Sequence, residues 1–299
     1  MSRGALALVV IASTASAAPA IAPRQGLRSI VAIAGPPSAA VVIGKAGEVY
    51  EPDGKGAWIG HADGSIAGEV VAATRAGDRV IAGVANAPPF ERLDAGGWSV
   101  MNLGLHANAL LGRGSRATAA VGKAIFALER GKATKLADAT APVLAVAASA
   151  KAIVAETERG LARFEGTKWT PLAKAPHHVA ILLDPKWATV DRGVVDLDTG
   201  TITPWPAGFH PLAVTSTRET IVAAGARELV TIAGGATSTD ALPALASPVV
   251  AIAAERGGRV LLATREGQLA QRVAGAWTTT ELRDAPLPAH DGPPPAESK

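Results

Sequence analysis

No cysteine occurs in the 299-residue chain. Disulfides, thiolate metal sites, cysteine nucleophiles and N-terminal cysteine lipidation are therefore excluded. Charge of one sign is also lacking. Lys and Arg number 29 against 26 Asp and Glu, and they form no basic run of the kind that marks a nucleic-acid or lipid-headgroup patch. No nucleic-acid partner is expected. No stretch reaches the ~18 uninterrupted apolar residues of a membrane-spanning helix. The sequence contains no H-E-x-x-H, G-x-S-x-G or G-x-x-x-x-G-K-[ST] motif, so the commonest signatures of metalloprotease, serine hydrolase and P-loop chemistry are missing. What is present is apolar material at 48%, with only 18% charged residues, which excludes a disordered chain. Gly (32) and Pro (21) are abundant, a load of turn residues that long helical bundles do not carry.

The two ends differ from the rest. Residues 1–17 (MSRGALALVVIASTASA) place Arg3 before an apolar run and end on Ala15-Ser16-Ala17. Charge, apolar run and small-x-small triplet in that order predict a secretory signal peptide cleaved after Ala17. The expected location of the rest is the periplasm or the cell exterior. Residues 285–299 (APLPAHDGPPPAESK) are Pro-rich and read as an extended, disordered tail.

Between them the chain repeats. A short apolar segment with a central Ala recurs, with the alanines at 32, 72, 109, 145, 180, 213 and 251, spaced 33–40 residues apart. A second apolar segment follows about ten residues later, as in AAVVIG, AIVAE and RVLLAT. A third follows a tight turn (GEVYEP, GLARFE), and a fourth often opens on Trp, as at Trp58, Trp98, Trp169 and Trp277. Segments of 4–7 residues rich in Val, Ile, Leu and Thr are strand-like. Four strands per repeat and seven repeats predict an all-β, seven-bladed β-propeller of four-stranded antiparallel blades over residues 29–284. One blade cannot bury both faces alone, whereas a ring of blades can. The central Ala then lies where blades crowd near the axis. The last repeat supplies all four of its strands from residues 249–283, so a blade mixing both chain ends is not evident, although residues 18–28 could add a strand.

Residues 193–205 (GVVDLDTGTITPW) look like a YVTN or quinoprotein-type blade, and 53–58 (DGKGAW) and 94–98 (DAGGW) like degenerate Asp-box turns of sialidase-type repeats. On these segments the chain resembles secreted bacterial seven-bladed β-propellers of the broad group with WD40-like, YVTN-like and sialidase-type repeats. The resemblance implies the fold and leaves the function open. Tyr50 is the single Tyr, no Arg-Ile-Pro motif accompanies it, and no Asp-box is intact, so sialidase activity is not expected. No Trp-rich motif for a quinone cofactor stands out. The segment Asp196-Leu197-Asp198-Thr199-Gly200 opens like a calcium loop but lacks the later ligands, and reads as a hairpin turn.

Stepping back three residues from each central Ala gives Ser29, Glu69, His106, Pro142, His177, His210 and Pro248. Three of the six histidines thus share one register, with Glu69 beside them, at the start of the innermost strand and the mouth of the channel. Neutral imidazoles with a carboxylate suit a divalent metal, so His106, His177 and His210 form a candidate metal site. A polar rim is the default assignment, because loop-to-strand junctions tolerate polar residues. His178 is expected to point to the other side of the sheet. The turns after each second strand, carrying Lys45, Lys123, Glu156, Asp191 and Arg192 among others, open on the same face. Trp58, Trp98, Trp169 and Trp277 are expected to pack between blades. Trp187 and Trp205 lie off that register, where either could be buried or stack on a sugar.

The expected function is a non-enzymatic binding scaffold for a protein partner or polar ligand, working as a monomer and without cofactor. His106, His177, His210, Glu69, Lys123, Asp191 and Arg192 are the candidate ligand contacts. The alternatives are a metal-assisted hydrolase or lyase built on the His cluster, and a glycan binder using Trp.

Overall fold

The computed structural model describes residues 29–283 except 62–65, 67, 95, 102–108, 130 and 218. The expected leader, the segment 18–28, the Pro-rich tail and His106 lie outside the described residues. Apart from one 3-10 turn (Pro37–Ala39), the regular elements among the described residues are strands. The first meander holds β1 (Ile30–Ala34), β2 (Val41–Gly44), β3 (Val49–Pro52) and β4 (Trp58–His61). The second holds β5 (Val70–Ala76), β6 (Arg79–Val84), β7 (Phe90–Arg92) and β8 (Trp98–Val100). Then come β9 (Leu110–Leu111), β10 (Arg113–Gly114), β11 (Thr118–Val121), β12 (Ala124–Glu129) and β13 (Lys132–Asp138). The fourth meander is β14 (Val143–Ala148), β15 (Ile153–Thr157), β16 (Gly160–Glu165) and β17 (Lys168–Pro171). The fifth is β18 (Ile181–Leu182), β19 (Trp187–Val190), β20 (Gly193–Asp196) and β21 (Ile202–Pro204). The sixth is β22 (Ala213–Ser216), β23 (Thr220–Ala224), β24 (Glu228–Ala233) and β25 (Ala236–Ala241). The last is β26 (Val249–Ala254), β27 (Val260–Thr264), β28 (Gln268–Val273) and β29 (Ala276–Arg283).

Each meander is antiparallel and runs from an innermost first strand to an outermost fourth. The second strands β2, β11, β15 and β27 are buried at every residue. A strand covered on both faces cannot alternate apolar and polar residues, which is why these segments read as continuous apolar runs. The outer strands are wet; β25 is exposed at five of its six residues.

The hydrophobic clusters bridge neighbouring meanders rather than filling one. Val41, Ile43 and Val49 pack with Val70, Val80 and Ala82 of the next unit. Val194 packs with Ile221 and Val230. The last unit packs on the first, Leu261, Leu269 and Leu282 sharing a core with Ile30, Val42 and Tyr50. Each fully buried Leu or Ile of this set contributes about 1.5–3 kcal/mol. The central alanines sit at these contacts: Ala32 faces the second meander, Ala213 the last, and Ala251 the first.

The repeat count predicts seven separate sheets, whereas hydrogen bonding makes six. The reason lies in β4 and β29, two outermost strands that pair in parallel, Trp58 opposite Leu282 and Ile59 opposite Arg283. They fuse the first and last meanders into one eight-stranded sheet curled round a shared core. Gly60 permits the fusion. A Cβ there would come within 2.8 Å of the Tyr50 ring and 3.3 Å of the Arg283 carbonyl oxygen. The Ile30 N–H also donates to the Arg265 carbonyl, 3.1 Å away, across the same junction. The last unit indeed draws its four strands from one stretch of chain.

Candidate functional site

Main-chain hydrogen bonds define one face of the ring, its upper face. The turn after a second strand and the residue before a first strand bond each other: Lys45 N–H to Ser29 O, Ala85 N–H to Glu69 O, and Arg265 N–H to Pro248 O. The same turns reach the next unit, as Val70 N–H donates to Lys45 O and Val143 N–H to Gly122 O. The described candidates, Glu69, Lys123, His177, Asp191, Arg192 and His210, lie on these turns and strand starts. Glu69 and Lys45 form an ion pair at 2.9 Å with both side chains about half exposed. Lys123, Asp191 and Arg192 are exposed on turns and make no ion pair among the described residues. His210 is exposed before β22 and His177 before β18; no hydrogen bond or ring contact joins them.

The site the structure assembles is a chain of three groups. Nδ1 of His177 lies 2.9 Å from Nε2 of His178, and Nδ1 of His178 lies 3.0 Å from Oε1 of Glu156. The two rings meet edge to face, centroids 4.4 Å apart. This corrects the expectation that His178 points away from His177: both precede β18, outside any strand, so strand alternation does not apply to them. With the carboxylate ionised, His178 donates its Nδ1–H to Glu156 and accepts the Nδ1–H of His177. The outer Nε2 of His177 is then a lone pair directed away from the chain of bonds. Gly160 (φ +98°), the first residue of β16, lies beside that ring; a Cβ there would stand 3.4 Å from His177 Cδ2, an ordinary contact.

Glu156 is the residue that sequence reasoning underrated. The turn pattern puts it on the rim; the structure puts it inside β15, 6% exposed. It stands opposite the central Ala145. The same register elsewhere holds Ile43 opposite Ala32, Gly83 opposite Ala72, Ala224 opposite Ala213 and Ala263 opposite Ala251. Glu156 is thus a carboxylate at a position that is apolar or side-chain-free in those four repeats, and it accepts from the His178 ring at 3.0 Å and the Val179 N–H at 3.4 Å. Aligning the second strands as well as the first would have found it.

No group of three His, Asp or Glu side chains among the described residues is arranged to hold a metal. His177 is bonded to His178 instead of turning toward His210, and the third imidazole, His106, lies outside the described residues. Trp205 is 8% exposed and packs on Phe209 at 5.5 Å, so it cannot stack on a sugar. Lys186 Nζ covers Trp187 at 4.7 Å from the ring centre. Trp58 is buried, and Trp98 and Trp169 clip neighbouring units, donating their Nε1–H groups to Gly47 O (3.0 Å) and Asp138 O (2.8 Å). The turn at Asp196 is the expected hairpin: its Oδ1 accepts from the N–H groups of Asp198 and Thr199 at 2.9 and 3.0 Å.

A groove of about 470 Å³ between the first two meanders, lined by Ala39, Glu51, Asp53, His61 and Arg75 among others, contains none of the candidates. Its carboxylate Glu51 is held by Arg92 at 2.9 Å and His61 at 3.3 Å. Asp184, in the turn after β18, is buried enough that desolvation raises its carboxyl above the usual range, against the hydrogen bonds from Ser216, Lys186 and Trp187.

No protein-family model matches the sequence, and no curated protein is similar to it. Solved structures are. YCF48 bound to D1 peptide aligns with a TM-score of 0.59 at 16% identity, over 84% of this chain and 95% of that one. The WD40 β-propeller domain of Doa1 aligns at 0.57 and 13%, over 81% and 92%. PorZ, a surface component of the type-IX secretion system of Porphyromonas gingivalis, aligns at 0.60 and 15%, covering 90% of this chain and 39% of that one. At these identities the likeness concerns fold alone, and the fold it shows, with the sheets described above, is a β-propeller of four-stranded antiparallel blades.

Proposed function

We propose that this chain is a non-enzymatic binding propeller that holds a protein or peptide partner on its upper face. We read the eight-stranded sheet as two blades joined at their outer strands, which makes seven. The observation that carries the reading is the buried Glu156, placed where other blades are apolar and bonded through His178 to the exposed His177. It fixes a polar contact point amid exposed Lys123, Asp191, Arg192 and His210, which have no ion-pair partner among the described residues. Mixed charge on a concave face suits a polar partner better than a polyanion. The fold serves this purpose in YCF48, which is bound to a D1 peptide. Export is part of the proposal: residues 1–17 are removed and the propeller works as a monomer in the periplasm or outside the cell. Among the described residues no helix is long and apolar enough to cross a membrane.

The Glu156–His178–His177 chain also favours a second reading, proton transfer by His177 in a lyase or hydrolase, metal-assisted if His106, His177 and His210 converge. Zinc titration separates the two: stoichiometric Zn²⁺ retained by the purified chain and lost in His177→Ala supports the enzyme. The binding proposal is tested by selecting peptides on the immobilised full chain and measuring affinity for variants. Asp191→Lys, Arg192→Glu and His177→Ala are expected to weaken binding at least fivefold each, while Asp53→Ala is expected to leave it unchanged. Binding indifferent to all three upper-face changes contradicts it.

A further inference from the structure

The ring carries a second feature on its axis. β10 leaves its own meander and pairs in parallel with β14, Arg113 opposite Ala147 and Gly114 opposite Ala148. The other edge of β14 is taken by β15, so β10 occupies the axial side of that sheet. Two glycines bring it there. Gly112 is buried where a Cβ would strike Thr118 and press Val146, and Gly114 (φ +100°) lies against the backbone of Ala148. Arg113, set between them, is exposed and makes no ion pair among the described residues. Surrounding protein nevertheless desolvates its guanidinium enough to lower its pKa. It remains a cation. An exposed Arg on the axial edge of a sheet, without an ion-pair partner among the described residues, is a ready anion contact.

Above it lies a partial apolar collar: Val71, Leu144 and Leu212 stand exposed, while Val31, Val179 and Val250 at the same register pack into the cores between blades. The residue before the central Ala is Val31, Val71, Leu144, Val179, Leu212 or Val250 in six repeats; in the third it is Asn108, outside the described residues. Val71, Leu144 and Leu212 are 51%, 54% and 48% exposed. In four repeats the strand register slips at this residue, between Ile30 and Ala32, Val70 and Ala72, Val143 and Ala145, and Val249 and Ala251. A bulge leaves one residue unpaired and re-aims its side chain. Leu144 and Ala147 are three residues apart on β14, so the collar stands about 10 Å above Arg113.

We propose that the axial opening binds the C-terminal end of an extended polypeptide, its terminal carboxylate on Arg113 and an apolar side chain three residues earlier in the collar. The carboxylate matches the unpaired cation, and the 10 Å step matches three residues of extended chain. The inner strands end the sheets, so main-chain N–H and C=O groups along their free edges are available to a peptide. This rests on the binding reading above and adds a site to it.

The test uses the full chain, immobilised, and two pools of random heptapeptides, one with free C-terminal carboxylates and one with C-terminal carboxamides. The expected result is retention of free acids at least tenfold over amides, with Leu, Ile or Val enriched at the fourth residue from the end. Arg113→Gln should abolish that tenfold preference, Arg113→Lys should restore part of it, and Leu144→Asn should remove the Leu, Ile and Val enrichment. Matching thermal unfolding of Arg113→Gln and the wild type shows that the fold is intact. Equal retention of the two pools, no retention of either, or a preference that survives Arg113→Gln overturns the proposal. Laurate binding that depends on Arg113 without peptide binding overturns it in favour of an amphiphile. The upper-face reading fails separately, because Arg113→Gln leaves the effects of Asp191→Lys and Arg192→Glu in place.

Discussion

Glu156 separates what the fold needs from what the site needs. Its counterparts opposite four of the other central alanines are Ile43, Gly83, Ala224 and Ala263. The partner of Glu156, the His178 side chain, is 58% exposed, so removing the carboxylate strands no buried charge and recovers its desolvation cost. Glu156→Leu is therefore expected to unfold within about 1 kcal/mol of the wild type, or above it, while partner binding at the upper face falls. A loss beyond about 3 kcal/mol in denaturant unfolding would assign Glu156 to the scaffold instead. Asp184 gives a pH-dependent counterpart. Its carboxyl is raised by burial, so the folded chain holds that proton more tightly than the unfolded chain. The stability it contributes is present below the ordinary carboxylate range and is lost as pH rises through the raised value. Asp184→Asn keeps an oxygen to accept from Lys186 and Trp187 N–H, bonds of 2.7 and 2.9 Å, and removes the charge. The variant should gain stability over the wild type at pH 7 and lose that advantage near pH 3. A gain independent of pH would contradict the assignment.

At the scale of the element, the sequence was most readable where two faces are buried. Continuous apolar runs such as AAVVIG and RVLLAT became second strands, and the Trp residues that open the fourth segments became contacts between blades. Their hydrogen bonds were not readable, because a carbonyl acceptor such as Gly47 O carries no sequence mark. Trp98→Phe keeps an aromatic ring but loses the pyrrole part of the indole and with it the bond to Gly47, so a loss of at least about 1 kcal/mol is expected in thermal or denaturant unfolding; no loss would mean that the indole N–H is satisfied equally by water. The site was only half readable. Stepping back from the central Ala found His177, His210 and Glu69, yet Glu69 pairs with Lys45 on a turn of the preceding unit, and the pairing of His178 with Glu156 depends on a loop whose path no periodicity predicts. The bulges that expose Val71 and Leu144 are hidden for the same reason: one residue added to a strand looks like any other residue.

At the scale of the molecule, closure was the feature that the repeats left open. Most propeller contacts here are local, each cluster joining consecutive units, and the seam between the first and last units, with the β4–β29 pair, the Ile30–Arg265 hydrogen bond and a shared core, is the exception that joins chain positions more than 200 residues apart. Gly60→Val tests the tightness of that seam. The added side chain meets the Tyr50 ring and the Arg283 carbonyl, and overpacking of this kind costs about 1–3 kcal/mol; unfolding unchanged from the wild type would show the seam to be loose. The most direct measurement exploits the absence of cysteine. Ile59→Cys with Arg283→Cys places two thiols opposite each other in the parallel pair, within the span a disulfide can bridge. Mild oxidation should give an intramolecular bond in high yield, visible by mass after proteolysis, and should raise the melting temperature. Free thiols after oxidation, or only disulfide-linked dimers, would contradict a ring closed by its first and last blades.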